Sequence, residues 1–120
     1  MIFKAVLDRK LLNVTHLIKY RKIDPNIKNE DGKTPFELTL ENSYFEIAKF
    51  LVEECKADPN IKGKNGWTPL HIASSKGDLN FVKYLVEECK ADPNIQNNYG
   101  KTPLHYASLY GYLDIVKYLV

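Results

Sequence analysis

Two cysteines, two histidines in matching settings and a run of glutamates are the side chains of this sequence with chemistry to offer. Cys55 and Cys89 each lie in the ten-residue string VEECKADPNI, written at 52–61 and again at 86–95. A nucleophilic cysteine needs a neighbour that stabilises its thiolate, but here Glu53 and Glu54 precede one and Glu87 and Glu88 the other, and their charge opposes ionisation. His71 and His105 both follow Thr-Pro-Leu, and nothing in the spacing brings a cysteine or a second histidine to either, as zinc requires. Gly32, Gly63 and Gly66 serve turns, and none opens a helix in the strand–helix–strand setting of a phosphate-cradling loop. The sequence thus offers no catalytic residue, no metal ligand and no cofactor site, and an enzyme reading has no positive support.

The doubled string has a simpler cause. Pro35, Pro69 and Pro103 stand 34 residues apart, and Gly32, Gly66 and Gly100 keep the same register, as do Thr34, Thr68 and Thr102. Asp24-Pro25-Asn26 recurs at Asp58-Pro59-Asn60 and at Asp92-Pro93-Asn94. Apolar positions follow: Val14, Ala48, Val82 and Val116 align, and so do Leu17, Leu51, Leu85 and Leu119, with no gap needed from residue 2 to residue 120. This is a tandem array.

Each unit reads as helix, turn, helix and a long excursion. Thr68 is placed to cap the first helix and Pro69 to open it, where a missing N–H costs nothing. The short helix LHIASSK stops at Gly77, and Asp78 is placed to cap a second helix, LNFVKYLVEECK, in which Leu79, Val82, Leu85 and Val86 recur at helical spacing. The stretch ADPNIKGKNG holds a proline and two glycines within ten residues and reads as an extended, turn-rich finger. Tetratricopeptide repeats share the 34-residue period but join their helices by short turns, with no room for an excursion such as Ala57–Trp67.

On these residues the chain resembles the ankyrin-repeat family, whose signature is T-P-L-H-x-A. It stands here as Thr68-Pro69-Leu70-His71-Ile72-Ala73 and Thr102-Pro103-Leu104-His105-Tyr106-Ala107, with a weaker copy at Thr34-Pro35-Phe36-Glu37-Leu38-Thr39. The resemblance covers essentially the whole chain. It implies an all-α ankyrin-repeat solenoid of helix-turn-helix units joined by extended, β-hairpin-like finger loops. The division is a single domain, 1–120: a capping partial repeat at 1–30, repeats at 31–64 and 65–98, and a truncated repeat at 99–120. It also implies that His71 and His105 tie neighbouring fingers by hydrogen bonds. Two departures stand out. Where the family closes its second helix with glycine and alanine, this chain has Cys55-Lys56-Ala57 and Cys89-Lys90-Ala91, one residue longer. Either the helix runs on, or Lys56 and Lys90 take a left-handed conformation. The aspartate common in the finger is replaced by Asn29, Gly63 and Asn97, and glycine loses the turn-forming hydrogen bonds that asparagine keeps. The middle finger is therefore expected to be the most mobile. Equivalent positions of stacked repeats lie about 8–10 Å apart, beyond the reach of a disulfide, so Cys55 and Cys89 are expected unbridged and as packing residues.

Function is then a matter of surface. The family implies a non-enzymatic module that binds a protein or peptide on the concave face made by fingers and first helices. Repeats 53–86 and 87–120 differ most in the finger, after the finger glycine and at the outer end of the first helix, where contact residues are expected. The candidates are Lys33, Lys64, Asn65, Trp67, Ser75, Lys76, Asn98, Tyr99, Lys101, Leu109 and Tyr110. Trp67, the lone tryptophan, either joins Tyr99 and Tyr110 in an aromatic anchor or packs across neighbouring fingers. Lys28, Lys33, Lys62, Lys64, Lys76 and Lys101 make the finger side basic, which favours an acidic or mixed peptide.

A net charge of +2 is far from the basic footprint of a nucleic-acid binder, and no apolar run is long enough to span a membrane. Two cysteines without a secretory signal point to an intracellular, cytoplasmic home. Residues 113–120, LDIVKYLV, stop where EECK would follow. Either the chain is a fragment of a longer array, or Ile115, Leu119 and Val120 leave an apolar end that another molecule covers, opening the way to end-to-end self-association. The alternative to a stand-alone binding module is the regulatory or targeting portion of a larger protein whose catalytic part lies elsewhere.

Overall fold

The structure, a computed structural model, describes residues 2–120 and all their side chains except those of Leu12 and Thr15. Among the described residues there are helices and turns and no strand. They form two compact units, Met1–Asp58 and Pro59–Val120. The first holds α1 (Ile2–Leu7), α2 (Leu11–Thr15), which passes into a π-helical turn at His16–Tyr20, α3 (Pro35–Asn42) and α4 (Phe45–Glu53). The second holds α5 (Pro69–Lys76), α6 (Leu79–Glu87), α7 (Pro103–Leu109) and α8 (Leu113–Leu119). Within the first unit α1 packs on α2 and α3, and α3 on α4; within the second, α5 packs on α6 and α7, and α8 on α7 and α6.

The Thr-Pro step starts each first helix as its chemistry dictates. Thr34, Thr68 and Thr102 are N-caps with extended backbone, and each hydroxyl accepts the amide three residues on. The third-position side chain completes a capping box each time. In the weak copy Glu37 fills the histidine's role, and its carboxylate accepts the Thr34 amide at 3.2 Å. Burial raises the Glu37 pKa, and the bonds from Thr34 work against that rise. Gly77 ends α5 at φ +77°, and Asp78 caps α6 by accepting from the Phe81 amide at 3.2 Å. The equivalent caps of α4 and α8 are Tyr44 and Tyr112, which make no side-chain cap bond. Their rings pack instead: Arg9 lies 4.9 Å above the Tyr44 ring. A Cβ on Gly77 would fall 2.6 Å from the Tyr112 ring, so that site needs glycine for space as well as for φ.

Val14, Ala48 and Val82 are fully buried, as are Leu51 and Leu85, which the register aligns with the buried Leu17; Val116 and Leu119 are half-buried. In α6 the core face is Phe81, Val82, Tyr84 and Leu85, so Leu79 and Val86, assigned to it by spacing, lie at its margins. The departure at the helix ends resolves to the left-handed option. Lys22, Lys56 and Lys90, one period apart, have φ of 55°, 62° and 58°. The amide after each reaches back six residues, Ile23 to the Leu17 carbonyl, Ala57 to Leu51 and Ala91 to Leu85. That wide closure is how the additional residue is absorbed. Cys55 is buried and Cys89 half-buried, and neither forms a disulfide among the described residues. Burial pushes the Cys55 thiol pKa up, and Glu54 adds to the rise while Lys19 opposes it.

Candidate functional site

The second unit assembles its surface from two fingers and two first helices. Each finger closes with one backbone bond, Gly63 N–H to the Trp67 carbonyl at 2.8 Å and Asn97 N–H to the Lys101 carbonyl at 2.9 Å. The fingers are joined where the Asn98 amide donates to the Asn65 carbonyl at 2.9 Å. Asn65 has φ of 59°, a conformation asparagine tolerates. His71 ties the pair together, as expected of the register position. Its Nδ1 accepts the Thr68 amide at 3.1 Å, which places the ring proton on Nε2, and Nε2 donates to the Lys101 carbonyl at 2.9 Å. Burial lowers the His71 pKa, and its bonds to backbone carbonyls act the other way.

Trp67 is half-buried against this frame. Its ring centroid lies 4.4 Å from that of Tyr106 and 5.8 Å from that of His71. Tyr106 is held in turn by Asn97, whose Nδ2 donates to its hydroxyl at 2.8 Å. The Asn97 Oδ1 accepts the amides of Tyr99 and Lys101 at 2.9 and 3.1 Å. One buried amide thus fixes the last finger and the aromatic ring beside it.

Around Tyr106 lies an open cleft of about 580 Å³, lined by Tyr99, Lys101, His105, Tyr106, Ser108 and Leu109. Tyr99, Leu109 and Tyr110 are strongly exposed at 62%, 71% and 57%. Of the residues chosen from sequence, the cleft gathers Tyr99, Lys101 and Leu109, and Trp67 stands behind it through Tyr106. Tyr110 lies outside it, its ring 6.3 Å from that of Tyr112. Lys64 and Lys76 are exposed, while Asn65 and Asn98 serve the bond between fingers. Ser75 donates to the Ile72 carbonyl of its own helix at 2.8 Å. Lys33, in the first unit, is held by Glu41 at 2.7 Å, and this bond raises its pKa against the lowering effect of burial. His105, Tyr106, Ser108 and Asn97 were not among the candidates. Tyr106 carried a signal, since it replaces Ile72 at the same register position.

Repeated Thr-Pro-Leu-His caps, fingers closed on themselves and a histidine bridging two of them form one coherent pattern. The family model for ankyrin repeats, described as three copies, matches residues 2–97 and also 55–120. The chain belongs to the ankyrin-repeat family. No curated protein matches it. Ankyrin repeats are generally protein–protein interaction modules and typically non-catalytic. Among the described residues, no three His, Cys, Asp or Glu side chains gather as a metal group, and no helix is long and apolar enough to cross a membrane.

Proposed function

We propose that this ankyrin-repeat chain is a non-enzymatic, intracellular binding module. It takes a partner protein or peptide, acidic or mixed in charge, on its finger loops and first helices. The observation that carries this reading is the cleft of the fourth repeat, where Tyr99, Lys101 and Leu109, chosen because they vary between otherwise similar repeats, share one lining. An aromatic ring and an aliphatic side chain beside a lysine suit a peptide with an apolar anchor and an acidic neighbour. Affinity capture with the wild type and with Trp67→Ala, read by mass spectrometry, tests it. A specific partner should be lost with the variant, and charge reversal of Lys64 and Lys101 should weaken capture most at low salt. A partner held equally by all three proteins removes the reading.

Self-association is a second reading, favoured by one contrast. Leu70, His71 and Ser74 are buried in the third repeat, while His105 and Ser108, at equivalent positions in the fourth, are exposed and Leu104 is half-buried. Light scattering over a concentration series would reveal growth in mass, and a strict monomer throughout would rule it out.

A further inference from the structure

The hydrogen-bond polarity of the same cleft is set from behind. Asn97 Oδ1 accepts two backbone amides, which can only donate, so the side-chain NH₂ must face Tyr106. The Tyr106 hydroxyl therefore accepts from Asn97, and its own proton has no acceptor among the described residues. His105 is arranged alike: its Nδ1 accepts the Thr102 amide at 2.9 Å, so the ring proton sits on Nε2, which has no partner among the described residues. Lys101, which lines the same cleft, brings an ammonium group. The residues that line the cleft thus carry three donors, beside the side chains of Tyr99 and Leu109.

We infer that the cleft is a receptor for a carboxylate side chain of a partner peptide, with Asn97 the positioning residue that turns the Tyr106 hydroxyl into a donor. The inference rests on the reading of this cleft as a docking surface and narrows what it accepts. The family's usual aspartate in place of Asn97 would keep both backbone bonds but would accept the Tyr106 proton itself, leaving the hydroxyl nothing to donate. The chain's departure from the family pattern in this finger is then a choice of ligand and not only a turn variant. His71 shows what the shared histidine geometry does when satisfied, since its Nε2 proton meets a carbonyl oxygen.

The test uses the full chain, labelled with nitrogen-15, and two capped tripeptides, Leu-Glu-Leu and Leu-Gln-Leu, followed by amide shifts. The glutamate peptide should shift Tyr99, Lys101, His105 and Tyr106 saturably and bind about tenfold more tightly than the glutamine peptide, as charge-assisted hydrogen bonds require. Asn97→Asp should abolish that preference. Tyr106→Phe, which keeps the ring against Trp67 and removes only the hydroxyl, should reduce it severalfold. Equal binding of the two peptides, or a preference undiminished in Tyr106→Phe, overturns the carboxylate receptor and leaves the docking surface standing. An absence of shifts in the cleft also overturns it, and the docking reading is then decided separately by the Trp67→Ala capture.

Discussion

The middle and last fingers have the same backbone closure and hold it by different means. At 97–101 the Asn97 side chain braces the turn from within, accepting two of its amides. Its closing carbonyl, on Lys101, also receives the His71 ring. At 63–67 glycine supplies no side chain, and the chain instead makes a 3₁₀ turn at Lys64–Gly66 with Asn65 left-handed inside it. What steadies this finger is external: the Asn98 amide bonds to the Asn65 carbonyl, and Trp67 lies on Tyr106. The first finger sides with the last, since Asn29 Oδ1 accepts the amides of Asp31 and Lys33, each at 2.9 Å. Equal spacing in sequence therefore conceals two designs, one self-braced and one leaning on its neighbour.

The contact between fingers can be broken most sharply at Gly66. A Cβ there would stand 2.5 Å from Asn98 Oδ1 and 3.0 Å from the Asn98 amide nitrogen, at φ +74°. Its register mate Gly100 has φ +73° and nothing within 4 Å. Gly66→Ala should cost about 2–4 kcal/mol, from left-handed strain plus displacement of the next finger, whereas Gly100→Ala should cost only the strain, about 1 kcal/mol. Urea midpoints for the pair would measure the difference. Equal losses would mean that the middle finger does not lean on Asn98.

The internal brace comes next. Asn97→Ala removes three hydrogen bonds from a buried position and should cost about 2 kcal/mol. It should also speed amide exchange at Tyr99 and Lys101. A loss confined to a few tenths of a kcal/mol would show that the backbone closure suffices without the side chain.

Much of this could be read from the residues before any geometry. The 34-residue register located the caps, the αL glycines and the buried Val14, Ala48 and Val82, because each depends on local backbone chemistry repeated in phase. Asn29 and Asn97 were legible as turn formers for the same reason. What escaped was pairing between residues of neighbouring repeats or between a finger and the helix that follows it. That Trp67 lies on Tyr106, that Asn97 turns its amide nitrogen to the Tyr106 hydroxyl, and that Lys33 is drawn to Glu41 depend on side-chain reach after packing. Periodicity carries no such information. His105 was read by its register alone, and register hid that its setting differs from that of His71.

The histidine bridging the two fingers adds a pH dependence. Burial holds the His71 pKa below its ordinary value of 6.5, so the unfolded chain takes up the proton more readily. The stability this histidine contributes is whole above that ordinary value and is lost as pH falls through the folded one. Protonation would also place a second N–H against the Thr68 amide, which donates to Nδ1. Between about pH 7.5 and pH 5 the wild type should lose on the order of 1 kcal/mol more than His71→Gln, for which this titration is absent. Parallel losses in the two proteins would show that the bridge is insensitive to protonation.

The smallest expected effect sharpens the comparison by converting one finger into the other. Gly63 has φ of −99°, a region open to any residue, so Gly63→Asn introduces no left-handed strain. The new Oδ1 would face the turn amides as in Asn29 and Asn97, and the unfolded chain would lose some of glycine's freedom. Both effects favour the folded state, by about 0.5–1 kcal/mol. Exchange at the amides of residues 65 and 67 should slow toward that of Tyr99 and Lys101 in the last finger. The gain should also outlast Tyr106→Ala, which removes the ring on which Trp67 lies, because the brace would now lie within the finger itself. If Gly63→Asn instead destabilises, the 3₁₀ turn at Lys64–Gly66 is incompatible with an internal brace, and glycine at this one position keeps the middle finger shaped to its neighbour.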